Sequence, residues 1–267
     1  MPAPSRPGLL LMRSLRPPGD RREDVRGRCS VCGAETRFAF NSWILPAEMR
    51  RDLGEPELVR AFCRRESRWC GACGSNERIR RIASLLLEHY ADRAETLAQL
   101  VEEPGFRELR IAEVNSIGPA HEVLARHPRL AYSEYPEEDL RALSYGDAAF
   151  DLVLTSDTLE HVDGFEAALA ETRRVLVEGG RHVFTVPVPP NRATTTLRAR
   201  GDEHLAPPQH HGRASGPFRL LTRRVPDMLA YTDFGMDLRD YLATAGFEPE
   251  LHFADDASFV WCATARA

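Results

Sequence analysis

The sequence predicts an α/β protein built on a largely parallel sheet. Two short apolar runs, at 150–154 and 182–186, flank a segment with apolar residues at three- and four-residue steps. This order is typical of a strand–helix–strand unit with parallel strands. The loop at 155–162 leaves the carboxyl end of the first strand, where open α/β sheets bind ligands. We therefore expect a ligand site beside this loop.

The ends of the helix in this unit are predicted from residue types. Asp163 is expected to cap its first turn. Gly179 and Gly180 are expected to end it, because glycine adopts positive φ at little cost. The C-terminal part of the chain repeats these patterns, with a helix and two strands expected at 237–244, 248–253 and 259–264.

Length, charge and composition exclude several classes of protein. The 267 residues, 43% of them hydrophobic, suit one large domain and a small accessory unit. No apolar run reaches membrane-spanning length and no secretory signal is present, so we expect a cytoplasmic protein without a membrane partner. The net charge of −5 argues against a nucleic-acid-binding surface over the whole protein. The chain contains no lysine, which excludes P-loop and Schiff-base chemistry and suggests a GC-rich bacterial genome.

Four cysteines form two matched turns, Cys29-Ser-Val-Cys32-Gly and Cys70-Gly-Ala-Cys73-Gly. Each turn aims two thiolates at one ion, and four thiolates complete a tetrahedral structural zinc site. Redox chemistry or unrelated buried thiols are the alternatives, and the reducing cytoplasm favours zinc. The cysteines therefore predict a small module held together by Zn²⁺.

Helices and arginines surround the second cysteine turn. One helical pattern spans 46–62 with an interruption near Gly54, and a long helix capped by Ser75 or Asn76 is expected to reach about Glu103. Seven arginines accompany them: Arg60, Arg64, Arg65, Arg68, Arg78, Arg80 and Arg81. They would either recognise phosphate or carboxylate, or form a solvated face with ion pairs between domains, and we favour the second interpretation.

The strings FDLVLTSDTLEHV, from 150, and ETRRVLVEGGRHVFTVP, from 171, are the most specific motifs in the chain. Together they resemble the second half of a class I SAM-dependent methyltransferase of the methyltransferase-11 type. The resemblance covers roughly 107 to the C-terminus and implies a Rossmann-like sheet of seven strands with SAM as cofactor. A doubly wound domain of another activity is the alternative. The expected division is a flexible tail, a four-cysteine zinc module, a linking helix and a methyltransferase domain, at 1–28, 29–76, 77–105 and 106–267.

The resemblance also implies a cofactor site along the first strands. Asn115 stands where the family has the first glycine of its glycine-rich turn, and Gly118 is the glycine that remains. Asparagine tolerates positive φ better than other non-glycine residues, so the turn is expected to survive. Glu113 fits the acid near the cofactor amino group, and Glu134 fits the acid that binds the ribose diol. An ordinary strand-end carboxylate is the alternative for Glu113.

The remaining cofactor residues are assigned by the same resemblance. Asp139 begins a segment similar to the family's third strand and would contact the adenine amino group, or cap a helix. Tyr135 would lie against adenine or in the core. The residues after the fourth strand would face the sulfonium. The expected cofactor set is Glu113, Asn115, Gly118, Glu134, Tyr135, Asp139, Leu140, Ser156, Asp157 and Leu159.

A polar insertion at 192–235 is expected to form a lid over the substrate. It carries three histidines near two acids: His204, His210 and His211. These would remove a proton from a substrate hydroxyl or amine, hold a second metal ion, or order the loop backbone. His161 belongs to a string common in the family and does not by itself mark a base.

Three functions are consistent with the sequence. The preferred one is methyl transfer to a small molecule, such as a sugar or secondary metabolite, or to a peptide. In the second, the arginines by the zinc bind RNA and the methyl acceptor is nucleic acid. In the third, the glycine-poor turn no longer binds SAM and the zinc module is a platform for protein interaction.

Overall fold

The first part of the described chain folds around the two cysteine turns. The computed structural model describes residues 25–211, 228–253 and 257–267. Strands β1 (Val25–Arg28), β2 (Glu35–Ala39) and β3 (Trp69–Cys70) form an antiparallel sheet. The predicted tail extended to residue 28, but its last four residues are β1. The rest of that tail lies outside the described residues.

Two helices connect β2 to β3, as the interrupted pattern at 46–62 predicted. They are α1 (Ala47–Leu53) and α2 (Pro56–Glu66). Gly54 adopts a φ of +69° at the break, and Pro56 occupies the first turn of α2, where its missing N–H costs nothing. Their apolar residues pack on Leu45 and Cys63 in a small core of their own.

Helix α3 (Glu77–Tyr90) begins as predicted but ends early. The Asn76 side chain accepts a hydrogen bond from the amide of Ile79 at 3.0 Å. The long helix predicted as a linker to about Glu103 is wrong as a single element, because the chain becomes extended at Ala91. The Glu103 carboxylate accepts the amides of residues 92, 93 and 94 at 2.6–2.9 Å, which stabilises a loop there. Two short helices follow, α4 (Leu97–Leu100) and α5 (Pro104–Arg107).

The central sheet has six strands in the part of the chain that the structure describes. Four are parallel: β4 (Ile111–Val114), β5 (Leu130–Ser133), β6 (Phe150–Ser156) and β7 (Leu176–Thr185). Short helix α6 (His121–Leu124) lies between β4 and β5, and α7 (Phe165–Val175) lies between β6 and β7. The predicted strand–helix–strand unit is therefore confirmed.

The insertion and the C-terminus add the remaining elements. In its described residues, the insertion forms three short antiparallel pairs. In these, β8 (Thr196–Leu197), β9 (Ala199–Arg200) and β11 (His210–His211) pair with β13 (Thr232–Asp233), β10 (Glu203–His204) and β12 (Met228–Leu229). The chain ends with α8 (Leu238–Thr244) and strands β14 (Phe247–His252) and β15 (Val260–Ala265). The order across the central sheet is β14-β15-β7-β6-β4-β5, with β15 antiparallel to both neighbours.

The expected seventh strand, near Asp139, does not form. Only the 16 residues from 134 to 149 separate β5 from β6, too few for a helix and a further parallel strand. They form turns instead, with an isolated bridge between Asp139 and Ala142. The Glu138 carboxylate accepts the Ser144 amide at 2.5 Å and its hydroxyl at 2.8 Å. Polar groups of this segment thus form hydrogen bonds within the segment instead of pairing with a strand of the sheet.

The predicted boundaries of the crossover helix α7 are also corrected. Gly164, at a φ of +79°, is its N-cap, while the Asp163 carboxylate accepts the Gly201 amide at 2.8 Å. The helix ends at Val175, before the glycine pair. Gly179, at a φ of +74°, lies inside β7 where the register with β6 shifts. The glycines therefore form an irregularity in the strand rather than a helix stop.

Two buried layers cover the sheet. On one face, α7 and α8 pack through residues such as Phe165 and Leu242. On the other face, α3 and α4 pack in a cluster that also contains Cys29 and Cys70 together with Leu152 of β6. The cysteine region and the central sheet therefore share one hydrophobic core. Within the described residues, every helix is too short or too polar to cross a membrane.

Candidate functional site

The turn after β4 has the backbone that the sequence predicts. Asn115 adopts a φ of +58° and Gly118 a φ of +71°. The Asn115 side-chain oxygen accepts the Tyr135 amide at 3.0 Å, and the Asn115 amide donates to the carbonyl of Ser133 at 2.8 Å. Asparagine thus provides the left-handed conformation and also joins the carboxyl ends of β4 and β5.

Glu113 is fully buried at the end of β4. Its carboxylate accepts the Ile117 amide at 2.8 Å and lies 2.7 Å from Nδ1 of His121. Burial raises the pKa of Glu113, while the hydrogen bond from His121 opposes that rise. The His121 ring lies against Tyr132, with centroids 4.1 Å apart. The carboxylate therefore orders the turn.

The residues predicted to bind the ribose and adenine lie beyond β5 and differ in exposure. Glu134 is exposed and accepts the hydroxyl hydrogen of Tyr132. Tyr135 is 65% exposed, so it is not a core residue. Leu140 is buried, and Asp139 is hydrogen-bonded by the Arg141 guanidinium, which lowers the pKa of Asp139. The structure thus brings Glu113, Asn115, Glu134 and Tyr135 to one edge of the sheet, and Asp139 has a partner of its own.

The other expected cofactor residues lie at the carboxyl end of β6 and in the loop that follows it. Leu159 is fully buried in the core. The Ser156 and Thr185 hydroxyls are 2.9 Å apart, which joins the ends of β6 and β7. Asp157 has a φ of +48° and its carboxylate accepts the Thr185 hydroxyl at 3.0 Å.

Asp157 is bound by two arginines from outside the predicted methyltransferase domain. Arg65 of α2 is 1% exposed and donates from both terminal nitrogens, at 2.8 and 2.5 Å. Nε of Arg78, in α3, lies 3.1 Å from the same carboxylate. Burial alone would raise the pKa of Asp157, but the charges of Arg65 and Arg78 outweigh it and hold the pKa well below its ordinary value.

Sequence reasoning did not single out this arginine–aspartate cluster, which we define as Arg65, Arg78 and Asp157. A signal was present, because Arg65 follows Val59 and Phe62 at three-residue steps on the apolar side of α2. A charged residue at such a position needs a buried partner. The ion pairs expected of these arginines are present, but the expected solvated face is wrong for Arg65, which is buried. Further arginines near the second cysteine turn pair with Glu77: Arg68, Arg80 and Arg81.

The four cysteines meet as the sequence predicts. Sγ of Cys29 lies 3.8 Å from Sγ of Cys73, and Sγ of Cys32 lies 3.7 Å from Sγ of Cys70. With zinc–sulfur bonds of about 2.3 Å, the corners of a tetrahedral site lie roughly 3.8 Å apart. The donor set therefore fits a tetrahedral metal ion.

The two cysteine turns have matching backbone hydrogen bonds. The amides of Gly33 and Gly74 donate to the carbonyls of Cys29 and Cys70 at 2.8 and 3.0 Å. Both glycines adopt positive φ, +77° and +79°. Each turn therefore needs its glycine to aim two sulfurs at one point.

Part of the central sheet is similar in sequence to a known protein family. Residues 106–184 match the family model described as a methyltransferase domain. The match supports SAM-dependent methyl transfer as the activity and SAM as the cofactor. No curated protein sequence matches the chain.

Solved structures include several distant methyltransferases. The 1,6-didemethyltoxoflavin-N1-methyltransferase of Burkholderia thailandensis, solved with 1,6-didemethyltoxoflavin and S-adenosylhomocysteine, is 18% identical over 72% of this chain and 79% of its own, with a TM-score of 0.40. A SAM-dependent methyltransferase of Mesorhizobium loti is 18% identical over 60% of this chain and 91% of its own, with a TM-score of 0.36. These similarities are too low to support an argument about the substrate.

A narrow cleft of about 20 Å³ is lined by residues that follow β6 and β7. We call it the Glu160 cleft; its lining includes Glu160, Arg192, Gln209 and Asp233, together with Leu53 of α1. Glu160 is 1% exposed. Burial raises the pKa of Glu160 well above its ordinary value, and the negative charge of Asp157 raises it further. Glu160 was not predicted as a site residue, although it neighbours the His161 that the motif contains.

The predicted catalytic histidines lie in the short strands of the insertion. His204, in β10, is exposed and pairs through its backbone with Ala199. His210 and His211 pair with Leu229 and Met228. In the part of the chain that the structure describes, His204 belongs neither to the lining of the Glu160 cleft nor to a cluster of potential metal ligands. A catalytic role for the three histidines stays a prediction.

His161 is held in place by a hydrogen bond to the insertion. Its Nδ1 lies 2.8 Å from the carbonyl oxygen of Leu229. Burial lowers the pKa of His161, so the ring is neutral at pH 7 and donates this hydrogen bond. The contact attaches the insertion to the loop after β6.

Proposed function

We propose that the protein transfers the methyl group of SAM to an oxygen, nitrogen or carbon nucleophile of a small molecule or peptide. The observation that carries the proposal is the positive-φ turn of Asn115 and Gly118 between the carboxylates of Glu113 and Glu134. Such a turn lets the backbone approach a ligand closely. Its survival without the family's glycines favours a working cofactor site over the non-catalytic alternative.

The residues of the edge have distinct roles in this proposal. Glu113 orders the turn beside the cofactor amino group, and Glu134 accepts the two ribose hydroxyls. Tyr135 offers an exposed ring for adenine. When bound, SAM supplies an electrophilic methyl group on its sulfonium. Catalysis then rests mainly on holding the nucleophile in line with that methyl group.

Two carboxyl groups near the carboxyl end of β6 have pKa values shifted in opposite directions. The two arginines hold the pKa of Asp157 below its ordinary value, and burial raises the pKa of Glu160 above its own. Groups whose environments separate their pKa values in this way suit different tasks in one site. We propose that Glu160, which lines the Glu160 cleft, forms a hydrogen bond with the substrate. If a proton must leave, His204, His210 or His211 would accept it after closure of the insertion.

The arginine contacts favour a small molecule or peptide over RNA. Arg65 and Arg78 bind Asp157, and Arg68, Arg80 and Arg81 lie near Glu77. An RNA-binding surface needs cations that are free to neutralise phosphates. We therefore propose a structural role for the four-cysteine module, with Zn²⁺ as its ion, rather than a role in nucleic-acid binding.

Calorimetric titration with SAM and S-adenosylhomocysteine tests the proposed function. We expect micromolar affinity, about −8 kcal/mol, and at least a tenfold loss in Glu134→Ala because two hydrogen bonds to a charged acceptor disappear. Glu137→Ala removes an exposed acid three residues further on and serves as the matched control. If the folded, zinc-loaded protein binds neither ligand, the enzyme proposal fails and the interaction platform replaces it.

A further inference from the structure

A second group of metal-ligand side chains lies where α3 meets the edge strand β14. His89 is the penultimate residue of α3, and Glu250 and His252 are two positions apart on β14, so they share one face of that strand. The potential ligand atoms of the three residues lie within 4.8 Å of one another. We propose that His89, Glu250 and His252 bind a divalent transition-metal ion, a site separate from the four cysteines.

One of the distances between potential ligand atoms already suits such an ion. Nε2 of His252 lies 3.3 Å from a carboxylate oxygen of Glu250. Nitrogen and oxygen ligands about 2.0–2.1 Å from a tetrahedral zinc ion are roughly 3.4 Å apart. The His89 and His252 rings are nearly perpendicular, at 80°, with centroids 5.7 Å apart. The two rings therefore lie edge to face, with a potential ligand atom of each within 4.8 Å of the other.

The two imidazoles also have unmet hydrogen-bonding capacity. Nε2 of His89 and Nε2 of His252 are both buried and make no hydrogen bond to any residue that the structure describes. Buried polar atoms of this kind usually have a partner, and an unsatisfied one carries a free-energy penalty. A metal ion bound to both nitrogens removes that penalty. A carboxylate as third ligand adds the negative charge that favours a divalent cation.

The surroundings define the character of the site. The Glu250 side chain is 59% exposed, so water has access to the remaining coordination positions. Glu88 and Glu250 provide negative charge near His89, against the positive charge of Arg181. Two imidazoles and one carboxylate suit Zn²⁺, Co²⁺ or Ni²⁺ better than Ca²⁺ or Mg²⁺, which prefer oxygen ligands. The bound ion would fasten the edge strand to α3 and depends on neither SAM nor a substrate.

Cobalt titration of the zinc-loaded protein tests the proposal. We expect one equivalent of Co²⁺ to bind with the visible absorption of nitrogen and oxygen ligands and without a thiolate-to-cobalt charge-transfer band. Element analysis after dialysis against Zn²⁺ should give two ions per chain, and the second ion should raise the Tm by about 3 °C or more. Binding of SAM does not enter these readouts, so their failure is distinct from failure of the proposed function.

Variants identify the ligands. His89→Ala/His252→Ala should lose the second equivalent and keep the first, and Glu250→Gln, at an exposed position, should bind Co²⁺ at least tenfold more weakly. His204→Ala removes an exposed imidazole elsewhere and should retain both ions. One ion per chain in the unaltered protein, or a second ion that persists in the double variant, would overturn the proposal.

Discussion

Replacing Arg65 with methionine tests whether this arginine of the cysteine module stabilises the buried carboxylate of Asp157. Arg65 is 1% exposed and makes two of the hydrogen bonds to that carboxylate. Removing one member of a buried pair leaves an uncompensated charge and typically costs about 3–5 kcal/mol. The Arg78 guanidinium at 3.1 Å and the Thr185 hydroxyl at 3.0 Å remain as partners of Asp157. We therefore expect a loss near the lower end, about 3 kcal/mol, in the free energy of unfolding.

Urea unfolding at pH 7.5, with zinc retained, measures this loss. In thermal unfolding, the same loss of free energy corresponds to a Tm decrease of roughly 6–12 °C for a chain of this size. Arg110→Met is the matched control, because Arg110 also binds a carboxylate, that of Asp151, at 2.9–3.0 Å but is 42% exposed. Exposed pairs contribute at most about 1 kcal/mol.

A double-mutant cycle separates the charge from the packing. In the Asp157→Asn variant, position 157 carries no charge and needs no positive partner. Arg65→Met should therefore lower the free energy of unfolding less in this variant than in the unaltered protein. We expect a coupling energy of about 1–3 kcal/mol. Two results would refute the reasoning that Arg65 stabilises Asp157. One is a loss of unfolding free energy in Arg65→Met no larger than that in Arg110→Met. The other is simple additivity of the losses caused by Arg65→Met and Asp157→Asn.

Three further predictions concern a buried histidine, the zinc site and the cofactor turn. Burial lowers the pKa of His182 from 6.5 to about 3, so the unfolded chain binds more protons between those values and stability rises with pH there, by up to about 1.4 kcal/mol per pH unit. His182→Leu should remove that slope from urea titrations between pH 4 and 6.5, and parallel curves for the two proteins would contradict the assignment. Cys73→Ser should lose the zinc ion and become sensitive to proteolysis in its first 100 residues or so, whereas Cys63→Ala should keep the ion; zinc retention in Cys73→Ser would exclude a four-cysteine site. Asn115→Ala should weaken SAM binding by about 1–2 kcal/mol, because alanine is strained at positive φ and the hydrogen bond to the Tyr135 amide is lost, and Asn115→Gly should weaken it less. Equal calorimetric affinities for the two Asn115 variants would show that positive φ does not matter.

Features that depend on neighbouring residues were predictable from the sequence. The cysteine turns, the positive φ at Asn115 and the break between α1 and α2 at Gly54 all follow from the conformations that single residue types allow. The strand–helix–strand unit follows from apolar spacing. Each of these is decided by residues that are close together in the sequence.

Features that depend on distant contacts or on chain length were not predictable in the same way. Arg65 and Asp157 are 92 positions apart, and no local pattern links them. The expectation of a seventh strand came from the resemblance to a family, and the short connection between β5 and β6 cannot accommodate it. Asp163 was a suitable cap by residue type, but the amide of Gly201, far along the chain, competes for its carboxylate.

The contacts of Asp157 also connect the four-cysteine module to the carboxyl end of β6. Arg65 lies in the last turn of α2 and Arg78 in the first turn of α3, and the Cys70 turn lies in the chain between them. The Glu77 amide donates to the Ser67 carbonyl at 3.0 Å, which closes that connection. A metal ion at the cysteines therefore fixes the relative positions of the two guanidiniums on Asp157. Loss of zinc should then disturb the carboxyl end of β6 even though none of its residues is a metal ligand.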